Sequence, residues 1–153
     1  PDISFDREGV CNHCHQYDRM VQEEIFTGKI GQEKLSQLVS RIQESGKGND
    51  YDCLIGVSGG VDSSYVAYVV KKLGLRPLAV HLDNGWDSEL SVNNIFKELE
   101  ILGIDLKTHV INWNEFRDLQ LAFLKASTPD SEIPSDHAIV SIMYRIAEEF
   151  GFT

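Results

Sequence analysis

The chain predicts a three-layer α/β fold, with a parallel sheet covered by helices on both faces. Three observations carry that expectation. Short apolar runs at 53–57, 77–82 and 108–111 read as buried strands. Segments of helical period follow each of them, at 62–73, 88–102 and 114–126. Gly74 and Gly103 stand just past the first two of these segments, where left-handed helix caps belong. Strand and helix thus alternate three times, which argues for parallel strands joined by right-handed crossovers.

The stretch 51–64, Tyr-Asp-Cys-Leu-Ile-Gly-Val-Ser-Gly-Gly-Val-Asp-Ser-Ser, organises the rest. Its first half is the central strand, and its second half turns sharply into a helix. Gly59 and Gly60 let the backbone approach a ligand closely, and the amides after them open a helix N-terminus, which favours an anion. A kinase-type phosphate loop needs a Lys after its last Gly, and Val61 stands there. A dinucleotide fingerprint needs Gly-x-Gly-x-x-Gly, and Gly56, Gly59 and Gly60 do not have that spacing.

Ser58-Gly59-Gly60-Val61-Asp62-Ser63-Ser64 resembles the pyrophosphate-binding loop of the N-type (PP-loop) ATP pyrophosphatases. The resemblance implies an adenine nucleotide alpha hydrolase-like, Rossmann-like fold. It also implies an enzyme that splits ATP between the α- and β-phosphates and activates a carbonyl oxygen as its adenylate. Gly59, Gly60 and the amides from Val61 onward would hold pyrophosphate, helped by the hydroxyls of Ser58, Ser63 and Ser64. Asp62 would orient the loop or hold Mg²⁺, and with no Lys or Arg in the loop such a charge-neutralising metal is expected. An ordinary strand-to-helix turn rich in Ser and Gly is the plainer alternative.

Residues 1–15 read as a loop-rich knuckle containing a tight turn at 5–10 and then Cys11-Asn12-His13-Cys14-His15. Cysteines two apart are half of a tetrahedral zinc site. Cys11 and Cys14 are therefore either metal ligands completed by residues outside this chain, with Zn²⁺ as the metal, or a pair of reduced thiols with no metal. The same segment resembles the opening region of the N-acetyl sugar amidotransferases of bacterial surface-polysaccharide synthesis, a branch of the PP-loop group in which a further Cys-x-x-Cys precedes this point. Residues 16–48 read as two plain packing helices leading into the nucleotide domain, which occupies 49–153.

The second strand exits into Asp83-Asn84-Gly85-Trp86. Ligands of open parallel sheets bind at the carboxyl ends of strands, and the resemblance implies that Asp83 and Asn84 hold the adenosine part of ATP. A simple turn is the alternative, since Asn-Gly is a turn signal by itself. Residues 127–136 are polar and lead into a helix at 138–150. Asp136 is well placed as its N-cap. Ile133-Pro134-Ser135-Asp136-His137 also resembles a stretch of the sugar amidotransferases, which implies that Asp136 and His137 touch substrate or metal as catalytic residues. His81 and His109 are expected to be structural.

A net charge of −10 with 14 scattered basic residues argues against a nucleic-acid partner. No apolar run approaches the roughly 20 residues of a membrane span, and three cysteines suit a reducing compartment, so the expected location is cytoplasmic. The expected function is ATP-dependent amidotransfer to the N-acetyl group of a nucleotide sugar in lipopolysaccharide or related glycan synthesis. A partner glutaminase would supply the ammonia. tRNA thiolation and a non-catalytic ATP- or AMP-sensing module are the alternatives. The chain reads as an N-terminal piece, truncated after the third strand and its helices, so the central strand should keep one open edge and favour a homodimer.

Overall fold

The computed structural model of the chain describes residues 2–152, which divide between Arg41 and Ile42 into two compact units. In the second unit the strands β1 (Cys53–Gly56), β2 (Pro77–Asp83) and β3 (Asp105–Val110) form a parallel sheet in the order β1-β2-β3. Helices α3 (Val61–Lys72), α4 (Glu89–Leu102), α5 (Trp113–Lys125) and α6 (Ile133–Glu149) complete it. Side chains alternate across the sheet, so each strand feeds two cores. Ile55, Val57 and Ala79 pack with Ala67 of α3 and Ile95 and Leu99 of α4 on one face. Leu78 and Val80 pack with Ile142 and Ile146 of α6 on the other. The three-layer expectation is met.

Helix ends follow the local chemistry. At the end of α3, Gly74 has φ 79°, its N–H donates to Lys71 O, and Leu75 N–H reaches Val70 O, a Schellman closure. Ser88 caps α4 by accepting from Ser91 N–H, and Gly103 ends it with φ 59°. β3 begins at Asp105, three residues ahead of the expected 108. Its first half carries Asp105 and Lys107, so the pairing with β2 rather than hydrophobicity defines it.

α6 differs most from expectation. It starts at Ile133, because a Pro in the first helical turn lacks only an N–H that would be unpaired there anyway. Asp136 is therefore not the N-cap: it lies inside the first turn, with its N–H donating to Glu132 O at 2.9 Å.

A latch closes the N-terminal edge of the sheet. Arg76 donates through Nη2 to Asp52 Oδ1 (2.6 Å) and to Gly46 O (3.1 Å), through Nε to Asp52 Oδ2 (3.3 Å), and through Nη1 to Asn49 O (2.7 Å). The Arg76 backbone N–H adds a bond to Asp52 Oδ2 at 3.0 Å. The Asp52 side chain is only 4% exposed. Hydrogen bonds from Arg76 hold its carboxyl below the usual carboxylate range.

In the first unit, α1 (Asn12–Glu24) and α2 (Gly28–Ser45, which runs on past Arg41) bury no residue. Leu38 is 50% exposed and Ile25 51%. The tight turn before α1 is present, with Asp6 Oδ1 accepting from the N–H groups of Glu8 and Val10. The loop expected through residue 15 is helical from Asn12, because Cys11 acts as the cap and its Sγ accepts from Cys14 N–H at 3.3 Å.

Candidate active site

The strand-to-helix turn at the end of β1 is built by its own small residues. Val57 N–H still pairs with Val80 O at 2.9 Å, and the chain then leaves the sheet. Ser63 braces the turn from inside the helix: its Oγ donates to Gly60 O (3.1 Å), accepts from Ser58 N–H (3.2 Å) and lies 3.3 Å from Ser58 Oγ. No side chain caps the first turn of α3. The amides that begin at Val61 are therefore available to an anion, in the field of the helix N-terminus. Asp62 is exposed in that first turn and has no described partner.

The loop is also held from outside by α4. Gly59 has φ 73°, and a Cβ placed there would lie 2.3 Å from Ser91 O. Asn94 Nδ2 donates to Gly59 O at 3.4 Å, and Ser64 Oγ donates to Glu98 Oε2 at 2.6 Å. The Ser64 hydroxyl is thus engaged by Glu98, while the Ser63 hydroxyl is spent on the loop itself. Ser91, Asn94 and Glu98 went unrecognised in the sequence. Their spacing of three and four residues, polar on an otherwise apolar helix, is the signal that could have found them.

The carboxyl ends of β1 and β2 enclose a cavity of about 310 Å³ lined by Ser58, His81, Asn84 and Asp87, with Ile139 and Met143 of α6. His81 is buried, as expected of a structural residue. Its Nδ1 lies 3.0 Å from Val57 O, so this nitrogen carries the hydrogen and donates, while Nε2 lies 3.4 Å from Asp87 Oδ2. The ring ties the strand end that launches the loop to the segment before α4. Asp83 and Asn84 form the turn after β2, accepting through Oδ1 from Gly85 N–H and Trp86 N–H, each at 3.0 Å. Asn84 lines the cavity and Asp83 does not. Trp86 packs edge-on against Trp113 at 5.5 Å.

His137 lines a different cavity, beside α5, and Asp136 lines neither of the two. In the first unit, Cys11 Sγ and Cys14 Sγ lie 3.4 Å apart. The Cys14 N–H holds the Cys11 thiol below its usual range, and the neighbouring Cys11 pushes Cys14 up. His15 is engaged by Asp6 at 2.6 Å. Among the described residues, no group of three His, Cys, Asp or Glu is placed to hold a metal ion.

No family model matches the chain. Two curated relatives do. The tRNA-5-methyluridine(54) 2-sulfurtransferase of Pyrococcus horikoshii is 31% identical over 115 residues, 74% of this chain and 36% of that protein. The NH₃-dependent NAD⁺ synthetase of Methanococcoides burtonii is 32% identical over 108 residues, 64% of this chain and 39% of that protein. Both likenesses support the PP-loop ATP pyrophosphatase superfamily. The chain spans little more than a third of the length of these relatives. Among solved structures, glutamine-dependent NAD⁺ synthetase from Acinetobacter baumannii in complex with ADP matches 97% of this chain and 28% of its own, with TM-score 0.58 and 18% identity. The fold is thus adenine nucleotide alpha hydrolase-like. No helix among the described residues is long and apolar enough to cross a membrane.

Proposed function

We propose that the chain is the ATP-binding part of an amidotransferase that activates the N-acetyl oxygen of a nucleotide-linked sugar for replacement by ammonia. The observation that carries the ATP chemistry is the uncapped first turn of α3 behind a loop with two glycines and no cation. The sugar acceptor is supported by the sequence resemblance at residues 1–14 and 133–137. In this reaction the amide oxygen attacks the α-phosphorus and the bond to the bridging oxygen breaks, so pyrophosphate leaves. Ammonia then adds to the activated carbon and AMP departs, which turns acetamido into acetamidino. The free amides after Gly60 and the Ser58 hydroxyl would hold the leaving pyrophosphate, and Asn84 would lie against the nucleoside.

The Asp62 carboxylate, free of partners, is of the donor type that Mg²⁺ takes together with phosphate oxygens. That ion supplies charge neutralisation that the loop's own residues lack. Asp62→Ala is expected to abolish turnover while changing stability by no more than about 1 kcal/mol. Urea unfolding beside the activity assay separates the two effects, and a large stability loss with intact specific activity would make Asp62 structural.

With an N-acetylated nucleotide sugar, ammonium and ATP, the expected products are AMP and pyrophosphate. ADP as the product would reject the assignment. A glutaminase partner and a zinc site completed by other residues belong to the same proposal. Action on tRNA is disfavoured by the net charge of −10.

A further inference from the structure

A second cavity, of about 600 Å³, opens between α5 and α6 over the end of β3. That is within the range of sites that enclose small organic ligands. Phe116 and Phe123 of α5 and Pro134 of α6 give it an apolar wall, and Ile142 lines both this cavity and the one beside Ser58, so the two adjoin.

Its lining is rich in basic groups for so acidic a chain. His109 of β3 and His137 and Arg145 of α6 line it, against Glu115 as the one acid. None of the three basic side chains has a described hydrogen bond or ion pair. Lys107, also on β3, shows the contrast: it is paired with Glu149 and lies 4.9 Å from the centre of the Phe150 ring. Glu115 lines the cavity and Glu148 and Glu149 line an adjoining one with Arg145, yet none of them pairs with it, so in a chain carrying 24 acidic residues against 14 Lys and Arg this guanidinium is left available to an acid that is not part of the protein. Arg presents a planar fork that matches phosphate or carboxylate oxygens two at a time.

We infer that this cavity is the acceptor subsite and that it selects an organic anion. Arg145 holds the phosphate or carboxylate group, with His109 and His137 beside it, while the acyl or ring portion lies against Phe116, Phe123 and Pro134. The acceptor role rests on the amidotransferase reading. The anion preference rests on the lining alone. The shared wall at Ile142 brings the acceptor's reactive end next to the nucleotide cavity.

The test measures binding of N-acetylglucosamine 1-phosphate and of uncharged N-acetylglucosamine by calorimetry, with the nucleotide site saturated by a non-hydrolysable ATP analogue. The phosphorylated probe is expected to bind at least tenfold more tightly. Arg145→Met should remove most of that advantage, and Arg145→Lys should restore part of it, with affinity for the ATP analogue unchanged in both variants. Arg145 is exposed, so both variants should fold, which circular dichroism checks. Equal affinity for the two probes, absence of binding, or an advantage that survives in Arg145→Met would each overturn the inference. If the analogue itself fails to bind the unaltered chain, the ATP chemistry falls, whereas the comparison of the two probes still decides the anion site.

Discussion

Gly59→Ala should lower pyrophosphate formation by at least about a hundredfold, the scale on which a misplaced anion-stabilising group is felt. Two strains coincide at this position. The residue has φ 73°, and the added Cβ would lie 2.3, 2.8 and 2.9 Å from the O, C and Cα of Ser91, all backbone atoms near the start of α4 that cannot swing aside. The loop must move instead, and with it the direction of the amides that follow. Gly60→Ala is the matched control. At Gly60 φ is −90°, and the new Cβ would meet only Ser58 Oγ, at 3.5 Å. That variant should stay within about tenfold of the parent, so the gap between the two is at least about 1.4 kcal/mol of barrier. Pyrophosphate release measured for both under saturating ATP makes the comparison, and equal losses would mean that the α4 contact is not what aims the loop.

Arg76→Ala should destabilise the fold by about 3 kcal/mol, as removal of one partner of a buried charged pair does. The Asp52 carboxylate, 4% exposed beneath the guanidinium, would lose its charged partner and keep a single described donor, the residue 76 backbone N–H. Arg76→Lys keeps the charge but cannot reach Asp52, Asn49 and Gly46 together, so it should recover only part of the loss. The pH dependence has a definite sign. The folded pKa of Asp52 lies below its unfolded value, so the pair's contribution is complete above the unfolded carboxylate range near pH 4 and is lost as pH falls through the folded pKa. Urea unfolding from pH 7 down to pH 3 should therefore show the parent and Arg76→Ala converging at the acid end. Curves that stay parallel would place the stabilisation in the neutral hydrogen bonds to Asn49 and Gly46.

The sheet and its loop were legible because they rest on local rules. An apolar run of four or five residues, a glycine pair and a helical period need no distant partner to be recognised, and β1, β2, α3 and α4 end within a residue or two of where those rules place them. The start of α6 was not legible, because Pro134 signals either a break or a first turn and the choice between them depends on packing against β2. Cys11 was read as a loop ligand for a similar reason: a cysteine capping a helix through Sγ looks the same in sequence as one in a knuckle. At the site, Ser58, Gly59 and Gly60 announce themselves by spacing. His81, Asp87 and Glu98 act across 24, 6 and 34 residues to reach their partners, and no pattern along the chain links them.

β1 is four residues long, carries the Ser58-Gly59-Gly60 turn on its carboxyl end, and is paired on only one edge among the described residues. A strand that adds to the other edge would grip the same short segment whose end would meet the nucleotide in the proposed reaction. Edge pairing and nucleotide binding are then linked equilibria: whatever factor an added strand applies to ATP affinity, ATP must return to the strand.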